Sequence, residues 1–423
     1  MIKIVHQICC GLDVHKKMVV ATIAATNPQN VTTYKTKTFK TINADLYNLK
    51  NWLIDNNCYD VCMESTGKYW IPIFNILEDQ IRVILAHPKH VKAIKGKKTD
   101  KKDSKWIADL FKHDLVPSSF IPPRDIRALR DICRYRYKLV NIRTTEKNRV
   151  QNSMTVSNIG LANVITNPLG VSGTSIMQYL INNDHFDEEH CKSLIKKRLK
   201  NKTDEVIESI KGGHIESDQR FKLDICYKHI DVLNNYIAQI ELELSEMAKP
   251  YQTYINLATT IPGVKGLSAI WIIAEIGADM SVFPSAEHLA SWAGLSPTNN
   301  ESAGKKKSVK ISKAGVYIKP LLIQCALGAI RNKTNIYYKH KYESIKKRRG
   351  HKKAIITIAR MILVSIYHMF STGEIWHPYD LEFINKPKPK KQVLNLNNTL
   401  EYLNSIGIDI SSIQSQIESV NSA

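Results

Sequence analysis

Four carboxylates in the first quarter of the chain stand where they could do chemistry. Asp13 closes the apolar segment in GLDVHKK, and Glu64 closes another in VCMESTGKYW. Asp100 and Asp103 follow in KGKKTDKKDSKW, inside a run where Lys89, Lys92, Lys95, Lys97, Lys98, Lys101, Lys102 and Lys105 crowd around them. A charge run is ordinarily a solvated face, and two acids within it can simply soften the positive patch. The sharper reading is that the acids hold a metal while lysines such as Lys97, Lys98, Lys101 and Lys102 meet phosphate. Acids at strand C-terminal ends lie where open α/β sheets bind ligands, and acids three apart share one face of a helix. Four carboxylates brought together repel, so one takes up a proton unless a cation intervenes. Hard oxygen ligands select Mg²⁺, with Mn²⁺ as the alternative, and two such ions can clamp both oxygens of a phosphodiester displacement. His15 falls on the same side as Asp13 and can reach metal or phosphate, although a solvated or packed histidine is the commoner role.

The elements that must position these groups follow from periodicity. QICCGLDV, MVVATIAAT and TTYKTKTF alternate as three strands separated by polar turns. Leu46, Leu49, Trp52 and Leu53 recur at helical spacing, YDVCMEST returns to a strand, KYWIPIFNILED makes a second helix and IRVILAHP a fifth strand. The order βββαβαβα predicts an α/β domain over residues 1–124. Residues 125–155 lack Gly and Pro and carry Arg127, Arg130, Arg134, Arg136, Arg143 and Arg149, which predicts one long basic helix able to track a nucleic-acid backbone. A second long helix over 218–248 repeats Leu223, Tyr227, Ile230, Leu233, Ile237, Ile240 and Leu244 at threes and fours. The pair predicts an antiparallel coiled coil or dimer stalk across 125–250. Residues 156–215 are less regular. A mainly helical domain follows over 251–375, with Gly263 and Gly266 suggesting a helix-hairpin-helix turn that offers N–H groups to phosphate. Residues 376–423 contain KPKPKK and an Asn/Ser-rich stretch, and predict a basic linker and loosely ordered tail. Trp70, Trp271 and Trp292 sit among apolar neighbours and are expected in the core.

Composition bounds the partners. A chain of 423 residues with formal charge +21 favours a polyanion, because Lys and Arg release counterions condensed on nucleic acid. Anionic membrane is disfavoured by the lack of an uninterrupted apolar run of spanning length, and no secretory signal is read at the N-terminus, so a cytoplasmic protein is expected. The eight cysteines form no CxxC pair, which argues against a zinc ribbon or a disulfide framework and for reduced, buried thiols.

GLDVHKK, MESTGKYW and KTDKKDSKWIADLF together resemble the three blocks of the RuvC-like nuclease domain in the Piv/MooV-type DEDD transposases of the IS110 insertion-sequence family. IPGVKGLSAIWIIAEIG, HLASWAGLSPTNNESAGKKKSVKISKAG and YIKPLLIQCALGAIR continue the resemblance in family order. It implies an RNase H-like (RuvC-like) N-terminal domain with Asp13, Glu64, Asp100 and Asp103 as metal ligands. It also implies a C-terminal transposase domain whose serine attacks DNA to form a phosphoserine intermediate. NESAGKKKS matches the block that holds this serine, which makes Ser302 the nucleophile; Ser296, Ser308 and Ser312 are competitors if the alignment slips. Ala303 and Gly304 would allow close phosphate approach, Lys305, Lys306 and Lys307 supply charge, and Lys313 with Gly315 adds a contact. From sequence alone ESAGK is an ordinary polar turn. The family implies donor and target DNA as substrates, a bridge RNA that pairs with both, and dimers that join into a tetramer. Two rivals remain: a RuvC-like junction nuclease using metal-activated water without serine chemistry, and a non-catalytic nucleic-acid-binding protein on a degenerate fold.

Overall fold

The computed structural model describes residues 3–65, 67–91, 99–297, 300–302, 305–308, 310–381 and 396–407. Its N-terminal part is a five-stranded mixed sheet in the order β3-β2-β1-β4-β5. β1 (Ile8–Val14), β2 (Met18–Thr26) and β3 (Thr32–Lys40) form the expected antiparallel meander, while β4 (Asp60–Glu64) and β5 (Arg82–Ala86) add in parallel beside β1. Parallel neighbours need crossovers, and two helices supply them: α1 (Asn43–Asp55) before β4 and α2 (Trp70–Leu77) before β5. After a single turn, α3 (Pro88–Val91), α4 (Asp100–Lys112) covers the opposite face. This mixed sheet with flanking helices fits the RNase H-like domain expected for the N-terminal part.

Alternation along β1 divides the core. Cys10, Leu12 and Val14 point into a cluster with Leu46, Leu49 and Leu53 of α1 and Ile73 and Leu77 of α2. Cys9 points the other way, to Ala24, Cys62 and Ala86 under Ile107, Ala108 and Phe111 of α4. Gly11 lies on this second face. A Cβ there would stand 2.3 Å from the Ser104 carbonyl oxygen and 2.4 Å from the Ala108 nitrogen, so the helix backbone rests directly on the strand. Opposite Gly11 in register, Thr22 shares a 2.7 Å hydrogen bond with the buried hydroxyl of Ser104.

Two long helices follow, α5 (Arg124–Val156) and α10 (Ser217–Met247). They pair antiparallel within the chain: Arg136 meets Glu241, Arg143 meets Asn234 and His229 meets Glu146, with Leu139, Leu233 and Ile237 packed between. The intervening residues, which showed no clear pattern in sequence, fold as α6 (Leu161–Val164), α7 (Val171–Asn182), α8 (Glu188–Ser193) and α9 (Thr203–Glu208). They have their own core of Leu161, Ile176, Met177, Cys191 and Val206, closed against Met154 and Leu223 of the long pair.

The C-terminal core gathers α11 (Gln252–Thr259), α12 (Gly266–Ile276), α13 (Ala286–Trp292), α14 (Ile318–Ile330), α15 (Tyr337–Arg349) and α16 (His351–Thr372). Ile126, Leu129 and Cys133 of α5 and Leu244 of α10 enter the same core. Between α13 and α14 stands a hairpin of β6 (Asn300–Ser302) and β7 (Lys305–Ser308), described by its backbone alone. α16 is long and apolar enough to cross a membrane by length and composition, although Arg360 interrupts its apolar run. Its Ile355, Ile358, Ile362, Leu363 and Ile366 are buried in the C-terminal core. Trp271 is buried, Trp292 packs on Phe120 and Phe283, and Trp70 on Phe74, so all three tryptophans are packing residues. All eight cysteines are free and buried. Burial pushes Cys9, Cys58 and Cys62 up to about 12, which makes them poor nucleophiles.

The contact at Gly11 predicts that Gly11→Ala forces α4 off the sheet and lowers stability by about 1–3 kcal/mol, the usual cost of overpacking. Gly266→Ala is the control, because a Cβ there meets nothing within 4 Å. Thermal unfolding should show a lowered midpoint for the first and an unchanged or slightly raised one for the second.

Candidate active site

The register of the sheet brings the first two acids together. Leu12 pairs with Met63 across the parallel β1 and β4, so Asp13 and Glu64 are the next residues on adjacent strands. Asp13 lies two residues beyond Gly11 and therefore on the face that α4 covers. The first turn of α4 carries Asp100 and Asp103. Thr99 precedes them in extended conformation and its side chain accepts the Lys102 N–H at 3.4 Å, which fixes where the helix begins. Carboxylates at a helix N-terminus are favoured by its dipole. The close approach at Gly11 thus has a second consequence: it sets the start of α4 above the end of β1.

Asp13, His15 and Asp100 offer ligand atoms that all lie within 4.8 Å of one another. His15 Nε2 is 3.1 Å from Asp13 Oδ2 and 3.5 Å from Asp100 Oδ1, so the imidazole lies between the two acids while its side chain stays open to solvent. The Asp13 carboxyl is raised above its ordinary value chiefly because it is half-buried. His15 pulls it down, and the negative charges of Asp100 and Asp103 push it up. Asp103 is thus part of the same electrostatic cluster, whereas the trio within ligand distance contains neither Asp103 nor Glu64. Three nearby acids on an otherwise basic chain, one of them held partly against ionisation, form a donor set suited to a divalent cation.

The surrounding lysines divide. Lys101 and Lys102 are exposed beside the acids, and Lys105 lies 3.9 Å from the centre of the Tyr34 ring. Lys97 and Lys98 lie outside the described residues, as does Lys92. Ser302 ends β6 opposite Lys305 in the hairpin, and nothing is described of its side chain or of those of Lys305, Lys306 and Lys307. Lys313 is exposed. Its neighbour Gly315, at φ +67, is required by packing, since a Cβ would stand 2.1 Å from the Ala293 carbonyl oxygen. Of the competing serines, Ser312 is engaged in its own turn: it accepts the Ala314 N–H at 3.3 Å, and its carbonyl accepts from Lys319 at 2.7 Å.

One expectation is corrected: Arg127, Arg130 and Arg134 do not stand as a free nucleic-acid stripe, because each guanidinium is engaged by partners within the chain. Arg127 donates to Glu78, Asn75 and the Pro122 carbonyl. Arg130 donates to the carbonyls of Ala274 and Glu275 at the end of α12, and Arg134 makes a two-pronged pair with the buried Glu275 carboxylate, both bonds at 2.8 Å. Arg136 and Arg143 reach Glu241 and Asn234 of α10, whereas Arg149 is exposed and pairs with Glu146 of its own helix. Sequence reasoning counted these cations correctly but had no signal for the carbonyls and buried acid awaiting them. Gly263, at φ +91, packs on α14, where a Cβ would stand 2.3 Å from the Cys325 carbonyl oxygen.

Comparison with known proteins agrees with this division of the chain. A model of DEDD transposases of the IS110 type, described as transposase, matches residues 10–158, which hold all four acids. A second, described as transposase of the IS116/IS110/IS902 family, matches residues 255–343, which include the β6–β7 hairpin. An uncharacterized 42 kDa protein of insertion element IS900 from Mycobacterium paratuberculosis is 25% identical over 156 residues. That similarity spans 36% of this chain and 38% of the relative, little more than a third of each. With the acid-bearing sheet and the helical core each matched, in family order and over more than half of the sequence, the chain belongs to the IS110 family of transposases.

Proposed function

We propose that the protein is a DNA transposase that cuts and rejoins strands through a serine-linked intermediate, with Asp13, Glu64, Asp100 and Asp103 as the acidic half of the site and Ser302 as the nucleophile. The observation that carries this reading is the meeting of Asp13, His15 and Asp100 at the edge where β1 ends and α4 begins. Mg²⁺ or Mn²⁺ held by the acids, with His15 beside them, would supply charge to stabilise the negative phosphate oxygens during displacement. The acids and the serine divide the remaining work. The Ser302 hydroxyl displaces a deoxyribose oxygen from the scissile phosphorus, its proton passing to the carboxylate cluster. A serine–phosphorus ester forms, the phosphorus–oxygen bond to one strand end breaks, and the released deoxyribose oxygen takes the proton from the carboxylate cluster to leave as a hydroxyl. Attack on that ester by a hydroxyl of the incoming strand restores the serine and joins the strands. Exposed Lys101, Lys102 and Lys313 hold backbone phosphates near the reacting groups.

We read the site as composite, with acids and serine brought together across subunits of a dimer or tetramer as the family resemblance implies, and with the long helices α5 and α10 serving assembly. A bridge RNA that pairs with donor and target DNA supplies sequence choice, and the protein reads shape and backbone. These assignments rest on the family resemblance together with the acid geometry.

Two measurements test the reading. Incubation with labelled donor DNA, the element's flanking RNA and Mg²⁺ should yield a denaturation-resistant protein–DNA adduct that Ser302→Ala abolishes; cleavage that survives this substitution would favour a water-using nuclease instead. Calorimetric Mn²⁺ titration should show affinity falling as pH drops through the raised Asp13 value, because the ion competes with a proton for that carboxylate. The loss therefore begins at higher pH than an ordinary aspartate would give. Asp13→Asn should weaken binding at least tenfold and flatten the pH profile.

A further inference from the structure

Six cations crowd the junction of α15 and α16. Lys346, Lys347, Arg348 and Arg349 occupy the last turn of α15, and Lys352 and Lys353 the first turn of α16. All six are exposed, and none takes part in an ion pair among the described residues. The corner itself is held firmly. Gly350, at φ +80, reverses the chain, its N–H donating to the Lys346 carbonyl at 2.9 Å. Tyr342, buried in the C-terminal core, is hydrogen-bonded to His351 at 2.7 Å.

Helix electrostatics explains only part of this. Cations in the last turn of α15 complement the negative end of its dipole. Lys352 and Lys353 do the opposite: they stand at the positive end of α16, whose first turn contains no acid. Glu343 is the acid of α15 on the approach to the corner, and it forms no ion pair with Lys346 or Lys347 among the described residues. Like charges so placed repel one another and the helix end, and among the described residues no ion pair offsets them.

We propose that this corner is a docking surface for duplex DNA, contacting backbone phosphates without reading bases. The inference rests on the transposase reading for the identity of its polyanion, but it adds an anchor that contains none of the acids and not the serine hairpin. The residues 346–353 lie beyond the segment matched to the transposase family. Their packing orients the cations outward from α15 and α16, so the DNA would be held against the serine-bearing half of the protein.

The test is fluorescence anisotropy of a labelled 30-base-pair duplex with the full chain in EDTA, where no strand chemistry occurs, across a salt series. The variant combining Lys347→Glu, Arg348→Glu, Lys352→Glu and Lys353→Glu should bind at least tenfold more weakly. Its slope of log affinity against log salt should be shallower by roughly 0.9 for each phosphate left without a neutralising cation. The matching Gln variant should fall between it and the wild type, and circular dichroism should be unchanged in both. A charge-matched control, Lys35→Glu, Lys37→Glu, Lys138→Glu and Lys222→Glu, should leave the slope close to wild type. Equal weakening in the control, or wild-type affinity in the corner variant, would overturn the proposal. So would a weakening confined to duplex RNA. Failure of DNA binding in the corner variant alongside a Ser302-independent cleavage would uphold the docking surface and reject the serine mechanism; the reverse pattern would do the opposite.

Discussion

The candidate site depends on one van der Waals contact, the absence of a side chain at Gly11. Helix α4 lies on β1 with backbone against backbone, its Ser104 carbonyl and Ala108 nitrogen occupying the space a Cβ would need. Interiors are packed to a density at which a single methyl group is felt, so this spacing fixes the height and start of α4. The acids in its first turn are placed by the same contact. Thr22 and Ser104 hydrogen-bond across that interface, which satisfies two buried hydroxyls where apolar packing alone would leave them unpaired.

From that contact the electrostatics follow. Asp13 emerges on the covered face, half-buried and facing like charges, and it resists ionisation. His15 stands within ligand distance of Asp13 and Asp100. A strand end, a helix start and a histidine two residues downstream thus converge on one acidic spot.

Much of this was legible in the sequence, for identifiable reasons. Strand alternation in QICCGLDV and MVVATIAAT, and the apolar spacing of Leu46, Leu49 and Leu53, dictate local structure directly, so the order of elements up to α4 is read without error of type. Asp13 and Glu64 are visible because each ends an apolar run. The arginines of α5 are a different case. Their period predicts a helix, but whether a guanidinium meets phosphate or Glu275 depends on an acid more than a hundred residues away. The need for Gly263 is likewise set at long range, by the Cys325 carbonyl of α14. The helices between residues 161 and 208 escape notice because each is too short to develop a period, and they gain their order from a shared core against the long pair.

Arg127 ties the first turn of α5 to the acid-bearing domain through Glu78, and Arg134, seven residues on, ties the same helix to the serine-bearing domain through Glu275. Seven residues are about two helical turns, roughly 10 Å of rigid rod. Phe120, stacked among Phe283 and Trp292, adds an aromatic rivet just upstream. Bending α5 between these ties would strip a buried carboxylate of its counterion, so the helix acts as a stiff splice between the two halves.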